Sequence, residues 1–369
     1  YHGPVLYYAS RIITAVLGQS NFVSLTESSM RSVTAIFGLA LLILLLLIAE
    51  SLGWITLLVA ALLFTLAPAT VFFCRYFIHE MLLVFFGLAS IITGYKYLVG
   101  RRLVWAILSG TCLGLMHATK ETCIINFGAM AGSALVLLFL FRRERKGSAA
   151  LTNLPVWHLL LAFLSGAGVS MIFHSSLFRH PQGIIDSIAT YQVYFNRAGV
   201  DDAHLHPWHY YLGLLIHTRS PSGFPWSELG LLLLGGAGFF LALMKKERKQ
   251  GEYFILFTGF YTFLTLIIYS MISYKTPWNI LQFYYGLLLL AGYGGVQLLR
   301  APMVRWKKTG ITGLVLVTAI HWLYTGYSQN YRHFAEPENP YVYAHTGADV
   351  KEIAGTVARV VQAHPDGGE

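Results

Sequence analysis

The sequence predicts an all-α polytopic membrane protein, and three observations carry that prediction. Apolar runs of about 20 residues, long enough at 1.5 Å rise per residue to cross a hydrocarbon core of roughly 30 Å, recur along the chain. The 369 residues are 56% hydrophobic and only 12% charged, whereas soluble domains carry about 25% charged residues. Four clusters of positive charge fall at every second junction between the runs: Arg101-Arg102, Arg142-Arg143-Glu144-Arg145-Lys146, Lys245-Lys246-Glu247-Arg248-Lys249, and the Arg300 to Lys308 segment with Arg305, Lys307 and Lys308. A net charge of +9 would suggest nucleic acid as the partner of a soluble domain. Distributed this way it follows the positive-inside rule, and the nucleic-acid reading is discarded.

The runs place about ten spans, at Thr34–Ala49, Ile55–Phe73, Met81–Val99, Leu103–Thr119, Ile124–Phe141, Trp157–Phe173, Glu228–Met244, Tyr253–Ser273, Ile280–Leu299 and Ile311–Gly326. With the basic clusters cytoplasmic, strict alternation puts Asn21–Met30, Arg75–Glu80, Lys120-Glu121, the loop 174–227, the Ser273–Trp278 turn and the tail after Tyr327 outside. Residues 1–326 then form a transmembrane domain and residues 327–369 an external segment. In that segment Asn339–Thr346 reads as a short strand. Ala348–Gln362 reads as a helix with Val350, Ile353, Ala354, Val357, Val360 and Val361 on one side. Before the first span, Val5–Gly18 is amphipathic, too polar and too short to cross. The opening Tyr1-His2-Gly3-Pro4 is no signal peptide, and the expectation is that a first helix precedes Tyr1. Cys74, Cys112 and Cys123 lie in apolar surroundings without metal-ligand spacing, so neither a disulfide nor a metal follows from them.

Chemistry is expected on the outer side, because ionisable groups at membrane depth are costly unless they face a cavity or a partner. In Cys74-Arg75-Tyr76-Phe77-Ile78-His79-Glu80-Met81, Arg75 and Glu80 either pair with each other or divide the work, Glu80 as a base or metal ligand and Arg75 holding an anion. In His117-Ala118-Thr119-Lys120-Glu121, Lys120 either snorkels to the interface or serves as a point charge for a lipid phosphate. The loop 174–227 holds six of the fourteen histidines. Its stretch Asp201-Asp202-Ala203-His204-Leu205-His206-Pro207-Trp208-His209 suggests a divalent-cation site, with Asp202, His204, His206 and Glu121 as candidates for metal or substrate. The bland alternative is a polar loop with interfacial aromatics. Lys275 is either a second anion contact or a loop charge.

These motifs, in order, resemble the GT-C membrane glycosyltransferases, which include the protein O-mannosyltransferases and the aminoarabinose transferases of lipid A. The residues that carry the resemblance are His2-Gly3-Pro4-Val5-Leu6-Tyr7-Tyr8, Arg31, Cys74 to Glu80 and Thr119-Lys120-Glu121. The stretches His204 to Trp208, Lys275-Thr276-Pro277-Trp278 and Asn339 to Thr346 look most like the predicted membrane-bound mannosyltransferases, also called flippase-activity-associated proteins. The resemblance implies a GT-C-like helix bundle and a polyprenyl- or dolichyl-phosphate-linked sugar donor. A hexose such as mannose would pass outside the membrane to an acceptor hydroxyl on a glycan, lipid or protein. It implies a principal general base in a loop preceding Tyr1, Glu80 as the second acidic position, and Lys120 as the lysine that neutralises the lipid phosphate. His2, Arg75 and Lys275 are further donor-phosphate candidates. No cofactor is required by the resemblance, and a divalent cation is the one candidate. The rival class is a transporter that moves the lipid-linked sugar without breaking a bond. Against it, no internal repeat is visible and the candidate charges lie on one face.

Overall fold

The structure is a computed structural model that describes residues 2–141, 154–197, 204–218, 226–302, 304–343 and 350–363. Every apolar run expected to span is helical. In chain order the helices are α1 (Val5–Val16), α2 (Glu27–Leu45), α3 (Ala49–Leu52), α4 (Trp54–Leu66), α5 (Pro68–Cys74), α6 (Glu80–Gly100), α7 (Leu103–Thr119) and α8 (Cys123–Phe141). They continue with α9 (Val156–His174), α10 (Gln182–Arg197), α11 (Tyr210–Ile216), α12 (Leu229–Met244), α13 (Gln250–Met271), α14 (Leu281–Arg300), α15 (Arg305–Tyr327) and α16 (Val350–Ala363). Among the described residues, five helices are long and apolar enough to cross a membrane: Glu27–Leu52 taken as one, Glu80–Gly100, Cys123–Phe141, Val156–His174 and Gln250–Met271. The chain is a multi-pass membrane protein.

Two differences from the sequence expectation have plain causes. The Ile55–Phe73 run is not one straight span: α4 and α5 meet at a 63° bend. Pro68, at the first turn of α5, lacks the N–H that a continuous helix would need, and Ala67 before it is extended. At Asn339–Tyr343 turns replace the expected strand start, because Asn339 holds the chain by side-chain bonds to the Gln329 and His333 carbonyls. The rest of that stretch, 344–349, lies outside the described residues, as do Asp202 and the Arg142–Lys146 cluster.

At the centre stands α14, whose residues from Leu281 to Val296 are all buried. It packs on α4, α6, α12, α13 and α15. Beside it, α6 and α7 form a tight antiparallel hairpin turned by Arg101 and Arg102, with Arg101 in the left-handed region at φ 55°. Helix α7 also lies close against α9, since small residues stand at the crossing: Gly110 and Gly114 face Ala162 and Gly166. A Cβ on Gly110 would sit 1.9 Å from the Ala162 carbonyl oxygen.

The segment after α15 is fastened back onto the bundle. Tyr341, fully buried, lies against Phe72 and Phe73 of α5. Its hydroxyl and that of Tyr284 both donate to the Glu228 carboxylate. Glu228 precedes α12 and is itself buried. Arg75 completes the attachment, donating to the Asn330 carbonyl at 2.8 Å and resting over the Tyr331 ring.

Two outcomes are expected. Gly110→Leu forces α7 and α9 apart and costs at least the 1–3 kcal/mol typical of overpacking, about that range. Gly168→Leu, at a position with open space around it, leaves the unfolding midpoint in detergent within a degree or two of the wild type, to order of magnitude. The second outcome follows from Glu228. Glu228→Ala leaves the buried hydroxyls of Tyr284 and Tyr341 without their acceptor and lowers the thermal midpoint in detergent, by about 1–3 kcal/mol for each unsatisfied group; Glu228→Gln, which keeps an acceptor oxygen, loses less.

Candidate functional site

The α6–α7 hairpin decides where the site lies. Its turn is at Arg101-Arg102, Glu80 opens α6 and Lys120 caps the end of α7. Although α6 is longer than α7, 21 residues against 17, the start of the first and the end of the second meet. There the Lys120 ammonium donates to the Glu80 carboxylate. Each residue is also favoured by its own helix, the carboxylate at the positive N-terminus of α6 and the ammonium at the negative C-terminus of α7. Glu80 is 2% exposed and Lys120 6%. A buried pair of this kind holds together because either partner left alone would be an uncompensated buried charge.

The opening residues of the chain close over this pair. The Gly3 N–H donates to the Thr119 carbonyl at 3.2 Å, an approach that only glycine permits, since a Cβ there would stand 2.1 Å from the Ala118 oxygen. Next to Gly3, the exposed His2 places Nδ1 3.0 Å from Oε2 of Glu121. Burial opposes the charge on Glu121, but its bond to His2 and the nearby Lys120 outweigh that and hold its carboxyl below the usual range. His79, one residue before Glu80, lies under the His2 ring with centroids 4.9 Å apart. Burial first, then His2 and Lys120, push its imidazole down to about 3. His79 is therefore neutral at every physiological pH. It contributes to the site as a hydrogen-bonding group, and its Nε2 has no protein partner.

Four of the sequence candidates, His2, Glu80, Lys120 and Glu121, are thus brought together, with His79 added. Its signal was its place directly before Glu80 in the polar interruption. The remaining candidates lie elsewhere. Arg75 does not pair with Glu80; it serves the attachment of the C-terminal segment. Lys275 is 1% exposed and donates to the carbonyls of His206, at 3.0 Å, and Ile272. Together with the Lys275 N–H to His204 carbonyl bond at 3.0 Å, it clamps the His204–Pro207 strand to the 272–276 turn. Burial lowers its ammonium from the ordinary value. The His204 ring meets the Tyr343 hydroxyl at 2.8 Å, and His206 stacks on Tyr210. Trp278 lies between Tyr76 and Tyr343, so an aromatic row joins the histidine loop to the residue next to Phe77 and the site loop. Among the described residues no three His, Cys, Asp or Glu side chains converge on a point that could hold a metal ion.

The arrangement combines a buried ammonium with two carboxylates, one ionised and bonded to an exposed histidine, at one end of a membrane bundle. Lys120 has three donor protons and gives one to Glu80, so it retains donors for an anion. The ionised Glu121 and the neutral His79 offer acceptor and donor groups to a polar substrate.

Comparison with known proteins bears on the fold that carries these residues. The sequence model described as dolichyl-phosphate-mannose-protein mannosyltransferase matches residues 8–178, a little under half of the chain. A search of curated proteins finds no significant match. Among solved structures, ArnT from Cupriavidus metallidurans in the apo state is similar at a TM-score of 0.59 and 16% identity, covering 86% of this chain and 53% of its own. The same protein bound to undecaprenyl phosphate is similar at 0.57 and 16%, with the same coverage. The Archaeoglobus fulgidus oligosaccharyltransferase, in complex with zinc and sulfate, is similar at 0.54 and 13%, covering 97% of this chain and 47% of its own. This chain spans about half the length of each. With a bundle shared with ArnT and with the oligosaccharyltransferase, and a mannosyltransferase model matched across α1 to α9, the chain has the fold of the GT-C membrane glycosyltransferases.

Proposed function

We propose that the protein is a membrane glycosyltransferase that takes a sugar, a hexose such as mannose, from a polyprenyl- or dolichyl-phosphate donor and transfers it to an acceptor hydroxyl. The observation that carries this reading is the buried Glu80–Lys120 pair beside the His2–Glu121 pair at one end of the bundle. With the basic clusters cytoplasmic, that end is the outer one.

The chemistry asks for these groups. The bond between the anomeric carbon and the phosphate oxygen breaks while a bond from the anomeric carbon to the acceptor oxygen forms. Negative charge grows on the departing lipid phosphate, and the acceptor proton must go to a base. Lys120, preset by Glu80 in a low-dielectric setting, stabilises the phosphate where the charge develops. His2, exposed and pointing into the same cluster, reaches a phosphate approaching from the membrane surface. The acceptor side needs a carboxylate, and Glu80 and Glu121 are the ones this chain supplies beside Lys120. An amphipathic donor explains the location, since its hydrocarbon stays in lipid while its phosphate meets Lys120 at the boundary. The confinement of all these groups to one end supports bond-breaking on one side rather than passage through the bilayer.

The test is reconstitution in liposomes with radiolabelled polyprenyl-phosphate sugar in the outer leaflet, following sugar transfer and the sidedness of intact donor. Wild-type protein is expected to consume the donor. Lys120→Ala and Glu80→Gln are expected to lower turnover by about 10²–10³-fold, the usual loss on removing one transition-state electrostatic partner. Since breaking a buried pair from one side also destabilises by roughly 3–5 kcal/mol, the double variant Glu80→Gln/Lys120→Met separates lost chemistry from lost fold: it should recover stability and remain inactive. Movement of intact donor between leaflets without cleavage would overturn the enzyme reading.

A further inference from the structure

At the opposite end of the same helices lies a cavity of about 470 Å³, within the size range of small-ligand sites, roughly 300–1,000 Å³. It is walled by Tyr97 and Val99 of α6, Leu113 of α7, Ala134 and Phe141 of α8 and Phe254 of α13. Towards the Glu80–Lys120 site its lining reaches Ser90 and Ile91 of α6, both nearly fully buried, and Phe127 of α8. At the other end its rim is open, with Val99 and Leu159 exposed. An apolar cavity of this size is not filled by water, which needs two to four polar partners apiece, and protein interiors do not leave such a volume vacant at ordinary packing density.

The rim states what fits. The lining segment of α6 runs directly into Arg101 and Arg102, and that of α13 follows directly on Arg248 and Lys249. The Arg248 guanidinium lies 4.5 Å from the ring centroid of Phe141, a wall residue. It also donates to the Leu243 carbonyl at 2.6 Å; Arg102 and Lys249, next in sequence to the lining segments, are exposed. Hydrocarbon within and cations at the mouth describe the two ends of one molecule. We propose that this is a binding site for an anionic phospholipid of the leaflet that faces the basic clusters, with one acyl chain in the cavity and the phosphate against Arg102, Arg248 and Lys249. The sugar donor does not meet this description, because its phosphate belongs with Lys120 at the other end of α6 and α7, about 30 Å away at 1.5 Å per residue. The inference does not depend on the glycosyltransferase reading.

The experiment is native mass spectrometry of the purified full chain, delipidated and then titrated with phosphatidylglycerol or phosphatidylcholine of matched acyl chains. One phosphatidylglycerol per chain is expected to be retained, and about fivefold or more in preference to phosphatidylcholine, the scale of one or two basic contacts at a lipid surface. Ala134→Trp, which fills the cavity, is expected to abolish retention. Arg102→Gln/Arg248→Gln is expected to bring the two lipids to parity while a chain still binds. Should Ala134→Trp unfold, as judged by helical circular dichroism, Met130→Trp on the same wall carries the test. Equal retention of both lipids by the wild type, undiminished retention by a folded filled variant, or competitive displacement of the phospholipid by polyprenyl phosphate would each overturn the proposal.

Discussion

The structure depends on one constraint: a carboxylate and an ammonium held at the end of a membrane bundle must find each other. Glu80 and Lys120 are forty residues apart in the chain, and what joins them is the α6–α7 hairpin, whose turn at Arg101-Arg102 sends α7 back along α6. The arms differ by four residues, 21 against 17, so equal length does not set the pair: it forms where the N-terminus of α6 and the C-terminus of α7 meet, the two helix ends whose dipoles favour a carboxylate and an ammonium.

From that pair the neighbouring features follow in order. Lys120 is engaged by Glu80, and the buried Glu121 beside it is met by the exposed His2. His2 is in place only because Gly3 lets the backbone touch α7. His79 is forced under His2 by the start of α6 and loses its charge there, so the cluster gains no further cation beside Lys120. Against α14 itself, another buried carboxylate, Glu228, solves the same problem differently. It is satisfied by the hydroxyls of Tyr284 and Tyr341, with no cation among the described residues. One acid is ion-paired in the site. The other is a fastening between the C-terminal segment and the bundle.

Much of this was legible in the sequence, and the exceptions share a cause. Apolar runs gave the helices, because hydropathy acts locally and a charge in lipid is costly wherever it occurs. Glu80, Lys120 and Glu121 stood out for the same reason, since each interrupts apolar sequence, whereas His2 stood out only through the family resemblance. What the sequence does not encode locally is the partner. Arg75 and Lys275 have the same signature as Lys120, yet the first goes to a carbonyl 255 residues away and the second to carbonyls of a neighbouring loop. Glu228 resembled the plain start of a span, since nothing nearby announces that Tyr341 will return to it. The α4–α5 bend was visible as Pro68, but a hydropathy run passes through a proline unmarked.

The two ends of α6 and α7 are also chemically opposite, and this bears on how the protein sits in the bilayer. At one end charges are buried and paired, so few are left for lipid headgroups. At the other, Arg102 and Lys249 are exposed, next in sequence to the walls of an apolar cavity. A helix hairpin with a neutralised, buried charge pair at one end has little electrostatic hold on the headgroups there. Its vertical position must then be set by the basic end, where each exposed Lys or Arg gains about 1 kcal/mol near an anionic surface. On the proposed reading, a donor whose phosphate rides at the headgroup level meets Lys120 only if that anchoring holds the hairpin at the right height.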